Sequence, residues 1–132
     1  MAAPPPPTLL PIVASEAELL LQSLINQERG GRQLRRLKMQ SKLLAVARRH
    51  SANMAQAGKI YHNSRLAKNI RKLSWSMAAE NVGVGDVLEE LHQAFMDSRP
   101  HRQNILLPRF RKVGVGTVSS EGLLWVTVVF IG

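Results

Sequence analysis

The chain has no cysteine in 132 residues. Disulfide staples and thiolate chemistry are therefore excluded. Aromatic residues are few: one Tyr, three Phe and two Trp. They form no cluster on which nucleobases could stack, and no nucleic-acid motif accompanies them, so no specific nucleic-acid partner is expected. No apolar run approaches the roughly 18–20 residues of a membrane-spanning helix, so no transmembrane segment is expected either. A further absence is local. Between Arg29 and Ala79 there is no Asp or Glu, although that span holds 13 Lys or Arg. The nine acids lie in Glu16–Glu28 or from Glu80 onward, and the net charge is +9.

A span this one-sided predicts a positive surface that attracts phosphate-rich or carboxylate-rich polymers, or an anionic lipid surface. Arg32, Arg35, Arg36, Lys38, Lys68, Arg71 and Lys72 are the candidate anion-binding residues. The plainer alternative is a solvated basic face with no dedicated partner. The length fits one domain. Residues 1–15, with prolines at 4–7 and 11, read as a Pro-rich linker or a remnant of cloning. The start lacks a basic n-region and its apolar stretch is broken by Pro11, so it does not read as a signal peptide. Residues 16–132 read as a single domain.

Ser15-Glu16-Ala17-Glu18 has the form of a capping box, and predicts a helix to about Glu28 with Leu20, Leu21, Leu24 and Ile25 as its apolar stripe. Gly30-Gly31 ends it. Leu34 and Leu37 tuck inward from a basic loop. Ser41 is the expected cap of a second helix to about Ala57, stopped by Gly58. An extended piece at Lys59–His62 and a basic loop to Leu73 follow, then a strand at Ser76–Val84. Asp86-Val87-Leu88-Glu89 has the form of a second capping box, with Leu88, Leu91 and Phe95 on the buried side of its helix. Pro100 stops that helix near Ser98, and Ser98 is the expected cap of a short helix from Arg99 to Leu106. The chain ends in a hairpin, Lys112–Val118 and Leu123–Ile131. Its second strand is apolar on both faces, which places it centrally with helices on either side. The expected fold is α+β: a three-layer α-β-α sandwich around a central antiparallel sheet.

Three segments carry candidate chemistry: Tyr61-His62-Asn63-Ser64, Ala79-Glu80-Asn81-Val82 and Ser98 to Leu106. Each holds one residue able to bind a metal or move a proton, namely His62, Glu80 and His101. They lie 18 and then 21 residues apart, on different elements, so only the fold can join them. Two imidazoles and a carboxylate make a first shell for zinc or a similar ion with a position left for water. Without metal, Glu80 can hold an imidazole in one tautomer. The plainer alternative is that these groups bond backbone and pin loops to the sheet. His50 and His92, on helices near apolar stripes, read as packing residues. Arg65, Arg99, Arg102 and Asn104 are candidates for the rim, and Trp75 and Trp125 for core or cleft wall.

Read together, these segments resemble the CAP superfamily of cysteine-rich secretory proteins, antigen 5 and pathogenesis-related proteins, and most of all its cysteine-free bacterial, SCP-like branch. The likeness covers roughly Ala17 to Gly132. Leu24 to Arg29 is similar to the family's opening helix, and Leu44 to Met54 to its second helix. His62-Asn63-Ser64 is similar to a His-Thr/Asn-Ser element, Ala79 to Val82 to Gly-Glu-Asn-Ile, and Ser98 to Leu106 to Ser-Pro-Gly-His-Arg-x-Asn-Ile-Leu. Val113 to Gly116 and the strand around Trp125 are similar to the terminal hairpin.

The resemblance implies a cleft of two His and two acids, able in some members to bind a divalent metal, and a secreted or cell-envelope location. Three of those four residues carry over as His62, Glu80 and His101; Ser98 stands where the second Glu would be. Two functions follow as expectations. One is a monomeric binding module with a His62, Glu80, Ser98 and His101 cleft and a basic face for anionic polymer or lipid. The other is a metal-assisted hydrolase of peptide or cell-wall material, with zinc as the expected ion. No complete catalytic constellation is present, so no enzymatic activity is assigned.

Overall fold

The structure, a computed structural model, describes residues 13–132, so most of the expected linker lies outside the described residues. The first helix, α1 (Glu16–Gly30), starts at the expected capping box: the Ser15 hydroxyl accepts from Glu18 N, and the Glu18 carboxylate from Ser15 N. A two-residue strand, β1 (Lys38–Met39), follows, then α2 (Ser41–Ala57), a single-turn α3 (Leu66–Asn69), the edge strand β2 (Ala78–Gly85), α4 (Leu88–Asp97), α5 (Arg99–Leu106) and the hairpin β3 (Lys112–Ser120) and β4 (Leu123–Ile131).

The sheet order is β1-β3-β4-β2, with β4 between β3 and β2, both antiparallel to it. The central strand is thus the apolar one, as its pattern requires. The sheet is mixed rather than wholly antiparallel, because β1 pairs parallel to β3. Leu37 and Leu34 do turn inward, fully and partly, and the ladder beside them places Lys38 opposite Lys112.

The helices divide between the two faces. On one, Leu21, Ile25, Leu91, Phe95 and Ile105 from α1, α4 and α5 pack on Val113, Val115, Val126, Val128 and Phe130. On the other, α2 lays Leu43 and Ala47 against Val129 and Ile131, and Met54 against Val82 and Trp125. Two glycines set how close α2 comes. A Cβ on Gly114 would lie 2.3 Å from the Leu43 backbone carbon, and one on Gly116 would lie 2.0 Å from Arg48 N. Helix and strand therefore touch backbone to backbone, and Ser51, buried between them, donates to the Gly116 carbonyl and contacts the Thr127 hydroxyl.

Three expected caps form differently. The chain is still extended at Gln40, whose N–H bonds Val113 O in the β1–β3 ladder, so Gln40 rather than Ser41 is the half-in residue and its side chain accepts from Leu43 N. The helix after Asp86 begins only at Leu88 behind an extended Val87, one residue too late for an Asp86 capping box, and it has no side-chain cap. Ser98 does occupy the N-cap position of α5, but its hydroxyl bonds no backbone N–H there. Leu20, expected in the α1 stripe, is 41% exposed; Leu21 and Ile25 carry the contact.

Two charged residues are structural. Arg29, counted by sequence among the surface cations, is wholly buried: its guanidinium donates to the carbonyls of Arg35, Ile105, Leu107 and Phe110. Burial, and the Arg35 charge nearby, depress its pKa. Glu18, also wholly buried, accepts from Ser15 N, Thr117 N and the Arg48 guanidinium, so one carboxylate ties α1, α2 and β3 together. Burial pushes its pKa up, but Arg48 and the two backbone N–H groups outweigh that and hold it low.

Candidate functional site: a two-histidine cleft and a basic cavity

Side chains alternate across a strand, and on the edge strand β2 this splits the Ala79-Glu80-Asn81-Val82 segment between the two helical layers. Ala78 and Val82 face α2 while Ala79 faces α4, so Glu80 points to the α2 side and Asn81 to the side of α5. The buried Glu80 carboxylate reaches the loop after α2. Its Oε1 accepts from His62 Nδ1 at 2.9 Å and from Asn63 N at 2.9 Å. Asn81, fully buried, donates to the His101 carbonyl and accepts from Asn104 Nδ2. Adjacent residues of one strand thus hold the His62 loop and the His101 helix at the same sheet edge.

His101 places its ring against Phe95, with centroids 5.1 Å apart, and its Nδ1 lies 2.7 Å from the Ser98 hydroxyl. That contact is why the Ser98 side chain leaves the backbone of α5 uncapped. Burial, and then the His62 charge, lower the His101 pKa, so the ring is held neutral further below pH 7 than a free imidazole. All four expected cleft residues, His62, Glu80, Ser98 and His101, are in two bonded pairs, His62–Glu80 and Ser98–His101.

The family resemblance implies a divalent ion at this point. Glu80 Oε1 is committed to the loop, and its Oε2 is buried with no partner. Nε2 of His62 and Nε2 of His101 make no hydrogen bond among the described residues, and the His62 side chain is 69% exposed. A carboxylate behind an imidazole is the usual support of a metal-binding histidine. Among the described residues no three His, Asp or Glu side chains are grouped to hold an ion. The described residues thus offer no three-ligand cage; what they show is Glu80 behind the His62 imidazole and Ser98 beside that of His101.

The remaining candidates separate. His50 is buried: its Nε2 donates to Tyr61 O at 2.6 Å and its ring meets Tyr61 edge to face. His92 is buried beside Glu28, 3.4 Å away. Trp125 is core and Trp75 donates to the Ile70 carbonyl. Arg102 reaches back to the Met96 carbonyl, and Asn104 bonds Asn81 rather than backbone.

Six of the seven candidate anion-binding residues fall in two places, and the seventh, Lys72, is exposed beside Arg71 and does not line the cavity. Arg32, Arg35, Arg36 and Lys38 lie on the α1–α2 connection, where Arg32 pairs with Glu28. Lys68 and Arg71 line a cavity of about 650 Å³ between α2 and the segment through α3. Arg49, Asn53, Asn63, Arg65 and Asn69 also line it, and no acid does. Arg49 and Asn53 were not picked out by sequence; their signal was the four-residue spacing with Ala45 on one side of α2.

The model of the CAP family, described as the cysteine-rich secretory protein family, matches residues 22–130. The uncharacterized protein YkwD of Bacillus subtilis (strain 168) is 35% identical over 133 residues, covering 95% of this chain. The chain spans about half, 51%, of that relative's length. Among solved structures, an outer surface protein of Borrelia burgdorferi superposes with a TM-score of 0.81 at 20% identity, over 91% of this chain and 95% of its own. An extracellular protein containing an SCP domain from Bacillus anthracis gives 0.78 at 24% identity, over 87% of this chain and 40% of its own. With a family match over most of its length and the fold to go with it, the chain belongs to the CAP superfamily.

Proposed function

We propose that the chain is a secreted or cell-envelope binding module whose basic face holds an anionic polymer or lipid surface. The observation that carries this is the state of the 13 cations between Arg29 and Ala79. Arg29 is buried, Arg48 is bound to Glu18 and Arg32 to Glu28. The others make no ion pair among the described residues. Uncompensated like charge costs self-repulsion and draws polyanions. The extracellular and outer-surface proteins of the same fold support the location. Retention of the protein on an anionic resin, and on vesicles containing anionic lipid, is expected to fall steeply as salt rises. Retention that ignores salt refutes the reading.

The unpartnered Glu80 Oε2 and the free Nε2 atoms of His62 and His101 favour a second property, a divalent ion in the cleft. Zinc is among the ions that imidazole donors suit. His62 and His101 would hold it, and Glu80 would fix the His62 tautomer through Nδ1. When bound, the ion supplies a Lewis acid, which is what the hydrolase alternative on peptide or cell-wall material requires. Ser98 is a poor nucleophile for such a reaction, since it meets His101 at Nδ1 and no acid among the described residues orients the other nitrogen. Zinc is expected to raise the melting temperature, and His62→Ala with His101→Ala to abolish the rise. A wild-type protein indifferent to divalent ions refutes this second reading.

A further inference from the structure

The cavity between α2 and the α3 segment has its own chemistry. Four cations line it: Arg49 from α2, and Arg65, Lys68 and Arg71 from the segment opposite. All four are exposed, and none pairs with an acid among the described residues. Solvent ions screen exposed charges only in part when they are gathered around one cavity, so some repulsion remains for an anion to relieve. Packing does not require them either, because the apolar contacts of this region are made by Leu43, Ala47 and Ile70, with Val46, Leu66, Leu73 and Trp75 around them.

The walls also say what kind of anion is matched. Three of the four cations are Arg, whose planar fork pairs two N–H groups with two oxygens of a phosphate. Asn53, Asn63 and Asn69 stand among them, and an amide both donates to and accepts from hydroxyls. A volume of about 650 Å³ is far more than one phosphate fills and is ordinary for a small organic ligand. The single ring on the wall is His50, which is buried, and Tyr61 turns edge-on to it, so no base-stacking platform is present.

The cation segment is held from the cleft. Glu80 accepts from Asn63 N; Asn63 Oδ1 accepts from Arg65 N at 3.0 Å, and Asn63 Nδ2 donates to Asn69 Oδ1 at 3.0 Å. One side chain of the cleft thus fixes the turn that presents Arg65 and Asn69 to the cavity. Just before it in the chain, Ile60 and Tyr61 are 48% and 38% exposed next to Lys59.

We propose that this cavity binds a phosphate ester carrying neighbouring hydroxyl groups, of the glycerophosphate class, presented either in solution or as an anionic lipid headgroup. The proposal deepens the basic-face reading and rests on it for the nature of the partner. The chain supplies Arg49, Arg65, Lys68 and Arg71 to the phosphate and Asn53 and the Asn69 amide N–H groups to the hydroxyls, while Asn63 holds the turn. Glu80 acts as a positioning residue through Asn63.

The test is titration of the full chain with glycerol 3-phosphate, followed by amide chemical shifts. Phosphatidylcholine vesicles with and without phosphatidylglycerol form the second arm. Saturable shifts are expected around Asn53, Asn63 and Lys68. The exposed pair Arg65→Ala with Arg71→Ala should weaken binding by about tenfold or more, as loss of charge-assisted bonds does. Arg35→Ala with Arg36→Ala, on the other basic connection, should leave it within about twofold. Circular dichroism of both variants confirms that each is folded.

Binding of glycerol 3-phosphate alone identifies a soluble ester; binding confined to phosphatidylglycerol vesicles, and sensitive to the Arg65 and Arg71 changes, identifies a headgroup. Either supports the cavity. Binding insensitive to those changes, or equally strong for citrate, overturns it. Salt-sensitive resin retention with no saturable binding of glycerol 3-phosphate or of phosphatidylglycerol vesicles at these residues overturns the cavity and leaves the basic-face reading standing. Saturable cavity binding without any polyanion retention does the reverse.

Discussion

Replacing Glu18 by Gln keeps the shape of the side chain and removes the charge from the point where α1, α2 and β3 meet. In the native chain the two carboxylate oxygens take N–H groups from Ser15, Thr117 and the Arg48 guanidinium, and nothing of the side chain is exposed. Gln has one acceptor oxygen, so its amide must turn N–H groups against donors already there. Removing one partner of a buried pair costs about 3–5 kcal/mol; the Arg48 side chain, 35% exposed, can rehydrate in part, which puts the loss near the lower end, about 3 kcal/mol. At ~2.1 cal/mol/K of unfolding entropy per residue, that is a fall of about 12 °C in melting temperature for a domain of this size.

Thermal unfolding by circular dichroism at pH 7 measures it. The Glu18 pKa is lowered on folding, so its stabilisation is complete above the unfolded value near 4.5 and is lost as pH falls through the lower folded value. The gap between wild type and Glu18→Gln should therefore narrow below about pH 4. A loss under about 0.5 kcal/mol at pH 7, the range of ordinary surface changes, would refute the reasoning. A gap that stays constant through the acid range would refute the electrostatic part of it.

Gly116→Ala should destabilise by about 3 kcal/mol or more, since the new methyl meets the rigid backbone of α2. Gly83→Ala, whose nearest neighbours at 2.9–3.0 Å are the ends of Leu91 and Phe95, should cost clearly less; equal losses in urea melts would contradict the backbone contact. Arg29→Met strands four buried or part-buried carbonyls and should lose about 4 kcal/mol or more by urea denaturation; a change near zero would mean those bonds contribute nothing net. The His101 pKa is lowered, so the unfolded chain takes up its proton first and stability should decline as pH falls through the unfolded value near 6.5. His101→Gln should flatten that part of the profile, and urea midpoints that do not differ between the two proteins there would rule it out.

The physical devices of the fold were unequally readable. Apolar periodicity placed α1, α2, α4 and the hairpin, because those elements are decided by which side must leave water. Gly58, at φ +70°, stops α2 where the sequence puts it, because only a residue without a side chain adopts that conformation freely. Caps were less readable. Ser41, Asp86 and Ser98 have capping chemistry, yet Gln40 caps α2, nothing caps α4, and the Ser98 hydroxyl goes to His101. A cap depends on where the preceding segment stops being extended, and for α2 that is set by a ladder with β3, far along the chain.

His62, Glu80, Ser98 and His101 were visible from the sequence as residue types at element boundaries, in an order that belongs to the CAP superfamily. The charge span from Arg29 to Ala79 was visible as well, since composition needs no coordinates. Only the tertiary structure decided which of those charges work inward. It buries Arg29 under four carbonyls, joins Arg48 to Glu18, and gathers Arg49, Arg65, Lys68 and Arg71 around one cavity. It also decided that Glu80 and Asn81, neighbours in sequence, face opposite layers and each hold one histidine-bearing segment. The reason is geometric: residue type fixes what a side chain can bond, but direction follows from strand alternation, helix face and long-range pairing, and those exist only once the chain has folded.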